Sequence, residues 1–152
     1  MTPQDYIWMF DKSLGQLATE LEAYPSEEAL WQTGGAISNS AGHLAQHLAG
    51  NLQHFVGRHI GGTDYRRDRD SEFSQRKYNR EQLLELIART RSGIRDALQH
   101  KDAAFLEEAY STDIMKIKDG QTTGFMLSYL YAHLNYHLGQ VNYHRRLLAA
   151  SK

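Results

Sequence analysis

The sequence contains no cysteine, which excludes disulfide bonds, thiolate metal sites, iron–sulfur clusters and a cysteine nucleophile. A chain without cysteine suits a reducing compartment, and we expect a cytoplasmic location. The chain also lacks an excess of charge of either sign, because 17 Lys and Arg stand against 18 Asp and Glu, for a net charge of −1. A protein that coats nucleic acid normally carries a basic excess. We therefore expect no nucleic-acid partner.

Long hydrophobic runs are absent as well. No stretch approaches the ~18 consecutive apolar residues of a membrane span, and the first ten residues show no basic segment followed by an apolar run. Neither a membrane contact nor a signal peptide is expected. The 152 residues are 41% hydrophobic and 23% charged, which is typical of a folded globular chain. We predict a single domain over residues 1–152.

Proline occurs only twice, both times within the first 25 residues, so nothing downstream interrupts a helix. Apolar residues recur at helical spacing in four segments, which begin near residues 5, 37, 79 and 122 and end near residues 24, 59, 98 and 149. Residues 63–78 are polar and show no periodicity, and residues 101–121 include a predicted short helix near 103–109. The predicted fold class is all-α, a four-helix bundle with a long crossover connection between helices 2 and 3.

Histidine is abundant, with eight residues, and six of them form two matching trios. The second and fourth predicted helices each carry histidines at a spacing of four and then seven residues: His43, His47, His54 and His133, His137, His144. Each trio falls within about 40° of one line along its helix. One metal ion cannot use a whole trio, because the trio extends about 16 Å along the helix and a metal–nitrogen bond is only ~2.1 Å long. It can use one i,i+4 pair with a histidine from a facing helix.

Helical phase favours one such set. His133 and His137 lie on a flank of the fourth helix, and His47 lies nearer the apolar stripe of the second helix than His43 does. Three imidazoles and an open position are typical of a catalytic divalent site. A shift of one turn would make His43 the ligand in place of His47. The alternative interpretation makes these histidines ordinary hydrogen-bonded residues, and we expect His54 and His144 at an interface or in solvent.

Polar residues beside these histidines could orient the ligands: Gln46, Asn51, Asn135 and Gln140. The charged run from residue 65 to residue 73 has two interpretations. Asp68, Asp70 and Glu72 either reach the mouth of the site as a general base or fourth ligand, or form ion pairs on a solvated loop. The arginines of this run, Arg66, Arg67 and Arg69, could in the same way bind an anionic cofactor. Tyr136 and Tyr143 point away from the apolar stripe and could mark a dimer surface.

Three segments carry a resemblance to a known family: residues 36–57 (AISNSAGHLAQHLAGNLQHFVG), 67–73 (RDRDSEF) and 133–146 (HLNYHLGQVNYHRR). They resemble the DinB-like superfamily. The resemblance implies a four-helix bundle in which one histidine of helix 2 and a His-xxx-His pair of the last helix hold a divalent metal. Carried over, these ligands are His47, His133 and His137.

The resemblance also implies nickel or zinc, with manganese or iron as further choices, and a homodimer. Some members of the superfamily are transferases or isomerases that use low-molecular-weight thiols. We therefore expect a metal-dependent enzyme of the thiol-dependent transferase or hydrolase type, with a small-molecule thiol and an electrophilic substrate. No catalytic residue is assigned. The alternatives are a non-catalytic metal-binding stress or regulatory protein and a structural homodimer.

Overall fold

A computed structural model describes residues 1–150, so the last two residues of the predicted domain lie outside the described chain. Within these residues there are six α-helices: Pro3–Glu22 (α1), Glu27–Leu30 (α2), Ala41–Leu52 (α3), Arg69–Ser74 (α4), Arg80–Leu98 (α5) and Thr123–Ala150 (α6). A π-helical segment, Gln53–Arg58, continues α3, and a 3-10 turn spans Ala104–Glu107. Residues 1–150 form two isolated β-bridges and no strand. The predicted all-α class is confirmed.

The four longest helices pack around one apolar core. Helix α1 contacts α5 and α6, and α3 contacts the same two helices. The largest side chains that are fully withdrawn from solvent come from all four of these helices: Phe10, Leu14, Leu17, Leu21, Leu48, Leu52, Leu83, Ile87, Leu98, Met126 and Leu127. Because α6 packs on α1 along one flank and on α3 along the other, its histidine-bearing flank faces α3.

Side-chain caps fix where the long helices begin. Thr2 and Asn79 each form a capping box, at the first turns of α1 and α5. Ser40 accepts a hydrogen bond from the backbone N–H of His43, so α3 begins at Ala41 and not at the earlier predicted start. Immediately before it, the backbones of Gly34 and Ile37 pair in a tight turn that a helix could not continue.

Two short helices lie outside the four predicted helical segments. Helix α4 lies within the predicted polar loop of residues 63–78, where the Asp68 carboxylate accepts a hydrogen bond from the N–H of Ser71. Ser26 caps α2, which buries Leu30 completely. Elements of four to six residues contain fewer than two helical turns, too few to show a periodic pattern. The predicted short helix near 103–109 is the 3-10 turn. None of the helices in the described range is long and apolar enough to cross a bilayer.

Candidate metal centre

Three histidines from two helices meet at the contact between α3 and α6. The Nε2 atom of His133 lies 3.1 Å from Nε2 of His47 and 3.2 Å from Nε2 of His137. One ring nitrogen from each of the three residues lies within 4.8 Å of the ring nitrogens of the other two. His47 is buried, and the other two are half-buried. The structure thus brings together the three residues that helical phase had favoured.

His43 lies outside this cluster. Its ring packs edge-on against Trp31, at 5.1 Å between ring centroids, and its Nδ1 lies 2.8 Å from the hydroxyl of Ser40. The fold therefore places His47, and not His43, in the cluster.

The outer nitrogens of two cluster histidines are held by oxygen acceptors. Nδ1 of His47 is 3.1 Å from a Glu72 carboxylate oxygen, and Nδ1 of His137 is 2.6 Å from the side-chain oxygen of Gln140. Since these oxygens only accept, each Nδ1 carries the proton and each Nε2 of the neutral rings presents a lone pair. Nε2 of His133 can donate to only one of its two neighbours. At most one of the two nitrogen–nitrogen contacts is therefore a hydrogen bond, and a cation at the centre would satisfy the lone pair that is left without a donor.

Burial keeps the rings of His133 and His137 neutral. Burial, followed by the neighbouring His137, His47, Arg67 and Arg69, lowers the pKa of His133 to about 4. Burial is also the main cause that lowers the pKa of His137. Nδ1 of His133 is buried without a hydrogen-bond partner. Neutral imidazole is the form that binds metal, so His133 and His137 are in the ligand form at neutral pH.

Glu72 supports the cluster from behind His47. Its carboxylate is 4% exposed and accepts two hydrogen bonds from the guanidinium of Arg67, both of 2.9 Å. Burial alone would raise the pKa of Glu72, but the hydrogen bonds from His47 and Arg67 outweigh it and lower the pKa. The carboxylate is therefore ionised and fixes the tautomer and orientation of His47.

Two local features bring Glu72 to this position. A Cβ atom at Gly50 would collide with the Glu72 carboxylate, so a residue without a side chain is needed on α3 at this point. The amide of Gln46 donates to the backbone oxygens of Glu72 and Gln75, at 3.0 and 2.8 Å, and so ties α4 to α3.

The chain from residue 4 to residue 152 matches the model of a family described as a protein of unknown function (DUF1572). The chain belongs to this family. No curated protein and no solved structure matches it. The DUF1572 match includes α3, α4 and α6, and therefore the three histidines and Glu72.

Other polar residues of this DUF1572 chain have roles outside the cluster. Asp68 caps α4 and Asp70 is exposed, so neither of these two carboxylates reaches the histidines, and Glu72 lies behind His47 rather than at the mouth of a site. Asn135 accepts a hydrogen bond from Ser13 and so links α6 to α1. Of the four predicted orienting residues, Gln140 contacts a cluster histidine directly.

Sequence reasoning missed the pairing of Glu72 with His47. The two residues are separated by 25 positions, and Glu72 lies in a segment without periodicity. The charged run named Glu72 as a possible base or ligand of the site but not as the partner of His47, and Gly50 does not by itself indicate which side chain approaches it.

Two cavities adjoin the residues that hold the cluster histidines. One of about 280 Å³ lies between the segment 36–39, α3 and α6, and Gln140 forms part of its wall. Another, of about 330 Å³, lies behind Glu72 and is lined by polar and charged side chains that include Lys77 and Arg89. Small molecules therefore have room to reach the residues that hold His47 and His137.

Proposed function

We propose that this chain is a DinB-like protein in which His47, His133 and His137 bind one divalent metal ion through their Nε2 atoms. The proposal includes a single domain with the four-helix-bundle arrangement of that superfamily, and a homodimer. The observation that supports it is the convergence of three Nε2 atoms, in a cluster where Glu72 holds Nδ1 of His47 and Gln140 holds Nδ1 of His137. Nickel or zinc is the proposed ion, with manganese or iron as further choices, because three imidazoles accept several first-row ions.

A divalent ion with three protein ligands supplies Lewis acidity toward a substrate oxygen or thiolate. Neighbouring residues of the chain hold the ligand rings of His47 and His137 in position. Glu72 and Gln140 orient the ligand rings, and Phe73 packs against the ring of His47 at 4.7 Å between centroids. The exposed guanidinium of Arg69 lies over Phe73 and has no carboxylate partner within the described residues. It is available to an anionic substrate next to the cluster.

On this basis we propose a metal-dependent enzyme of the thiol-dependent transferase or hydrolase type, which acts on a small-molecule thiol and an electrophile. The thiol chemistry comes from the resemblance. The positions of Arg69 and the ligand rings are compatible with a negatively charged substrate.

One observation favours a second candidate, a non-catalytic metal-binding stress or regulatory protein. Among residues 1–150, Glu72 is the one carboxylate that is both buried and in contact with a cluster histidine. Both of its oxygens are already bonded to Arg67, so it is not free to act as a general base.

The test is elemental analysis of protein that has been purified without a His-tag or chelator. We expect about one divalent ion per chain in the wild type, as for a single three-ligand site, and none in the variant His133→Ala/His137→Ala. His43→Ala is the matched control, because it removes a histidine from α3 that lies outside the cluster, and it should retain the ion. Absence of an ion from wild type after incubation with nickel, zinc and manganese would overturn the proposal.

Activity separates the two candidates. With the metal-loaded protein, turnover of thiols with electrophiles should disappear in His47→Ala along with the metal. If metal is lost while turnover persists, the enzyme proposal fails. If metal is retained in wild type and no turnover is found, the non-catalytic candidate is favoured.

A further inference from the structure

The face of α6 that points away from the core carries a regular ridge of tyrosines. Tyr129, Tyr136 and Tyr143 are 42%, 67% and 65% exposed and follow one another at intervals of seven residues. Three residues after each tyrosine the ridge has Ala132, Gly139 and Arg146, all exposed. This outward face, which we call the tyrosine ridge, therefore repeats with the period of a helix that packs along a second helix. A small residue follows each of its first two tyrosines, and Arg146 follows the third.

Gly139 has no explanation within the chain. It lies in the interior of α6, where glycine is unfavourable compared with alanine, and its φ angle is not positive. A Cβ atom at this position would meet nothing within 4 Å. A helical glycine with open space around it and exposed tyrosines on either side is expected where another chain approaches the backbone closely.

We infer that the tyrosine ridge is the surface on which a second copy of this chain binds, with the two α6 helices antiparallel. The inference rests on the homodimer that is part of the proposed function, and it adds the surface, the direction and the register. A pairing with the twofold axis between residues 137 and 138 places Tyr136 over the partner's Gly139 and Tyr143 over the partner's Ala132. These two tyrosine rings then each lie over a small residue.

Charge favours the antiparallel direction. In this register Tyr129 lies beside the partner's Arg146, and a guanidinium is attracted to the face of an aromatic ring. Arg146 already lies over the ring of Tyr143 in its own chain, at 5.3 Å. The two Arg146 side chains are then separated by about 25 Å along the helix axis. A parallel pair would instead bring them face to face and would stack tyrosine on tyrosine.

The surface adjoins the histidine cluster. Gln140, which holds Nδ1 of His137, directly follows Gly139. The partner's Tyr136 would therefore lie next to Gln140 and cover a hydrogen bond that is exposed in the single chain. Tyrosine is enriched at protein interfaces because it combines a large apolar ring with a polar end.

Sedimentation equilibrium of the metal-free protein tests the surface. We expect a dimer for wild type and a monomer for Gly139→Glu, because the added side chains would clash and repel about 4.5 Å apart along the axis. Gly93→Glu is the matched control, since Gly93 lies in α5 and also has open space at its Cβ, and it should remain a dimer. Circular dichroism should show the same helix content in all three. A monomeric wild type overturns the homodimer itself, whereas a dimeric Gly139→Glu overturns the surface.

Cross-linking tests the direction, and the absence of native cysteine makes it clean. Copies of Ala132→Cys lie about 16 Å apart along the axis in the antiparallel pair and opposite each other in a parallel one. We expect no intermolecular disulfide from Ala132→Cys alone, nor from Tyr143→Cys alone, and a disulfide when the two variants are mixed. A disulfide from Ala132→Cys alone, or none from the mixture, overturns the antiparallel register.

Discussion

His137 and His144 lie one heptad apart on α6, and their surroundings are opposite. Both nitrogens of His144 contact protein oxygens, Nδ1 at 2.7 Å from the hydroxyl of Tyr24 and Nε2 at 2.9 Å from the backbone oxygen of Gln32. The side chain is 7% exposed. His137 has an oxygen partner at Nδ1 only, and its Nε2 faces the nitrogen of His133. Both ring nitrogens of His144 therefore have an oxygen partner within the described chain, whereas Nε2 of His137 has none.

This difference shows how two histidines with the same spacing acquire different roles. A ring with both nitrogens satisfied by oxygens cross-links three segments, here α6, the end of α1 and the segment after α2. A ring whose second nitrogen faces only other ring nitrogens can complete its contacts by binding a cation. The expected place of His144, at an interface or in solvent, was therefore wrong: its ring is internal and structural.

The largest effect should come from His133→Leu. We expect complete loss of stoichiometric metal binding, measured by elemental analysis or calorimetric titration. In the metal-free protein the same change should raise the free energy of unfolding by about 1 kcal/mol, because it removes a buried Nδ1 without a partner and a nitrogen–nitrogen contact that is not a hydrogen bond. A metal-free variant that is markedly less stable than wild type would show that His133 belongs to the core.

The same substitution at His144 should have the opposite consequences. His144→Leu leaves the Tyr24 hydroxyl and the Gln32 carbonyl without their histidine partner, which should lower the free energy of unfolding by about 1–3 kcal/mol. Metal content should not change. Urea denaturation of the metal-free variants measures the first and elemental analysis the second. Loss of metal from His144→Leu without loss of stability would end the distinction between the two sites.

The long helices could be predicted because the residues that determine them lie close together in the sequence. Capping residues such as Thr2 and Asn79 and the absence of proline are visible in any single segment. The choice of His47 over His43 followed from the same helical phase. That reasoning stops at Leu52, because the π-helical segment Gln53–Arg58 has more residues per turn than an α-helix. The phase expected for His54 does not apply there, and its ring packs against Phe55 and His59.

The carboxylate behind His47 could not be predicted, because it depends on contacts between distant segments. Three contacts hold Glu72 in place. Gln46 donates a hydrogen bond to its backbone oxygen, Arg67 donates to its carboxylate, and Gly50 has no side chain to displace it. None of these is visible in the polar run that contains Glu72. Prediction from local patterns therefore fails where a charged side chain must be buried, since burial is decided by all of its partners together.

A smaller effect on the same comparison is expected from Gly50→Ala. The added methyl group displaces the Glu72 carboxylate and loosens His47, and metal affinity should fall about 10- to 100-fold, as for other losses of a ligand-orienting residue. The His144 site should not respond. Gly93→Ala is a suitable control because it makes the same change in a helix without a nearby atom. Unchanged affinity, measured by competition with a chelator, would show that Glu72 does not position His47.

The smallest effect is the response of the metal-free protein to mild acid. Burial lowers the pKa of His133 to about 4 and lowers that of His137, so between pH 6.5 and pH 5 the unfolded chain binds protons that the folded cluster refuses. The free energy of unfolding should therefore be constant above about pH 7.5 and fall as the pH drops through that window. Carboxylates with lowered pKa, such as Asp11, titrate at more acid pH and do not contribute there. His133→Leu should make the profile shallower, since it removes the most strongly shifted group. Part of the slope should remain, because burial also lowers the pKa of His43, His54 and His59. A slope identical to wild type in urea denaturation across this range would place the proton uptake outside the cluster.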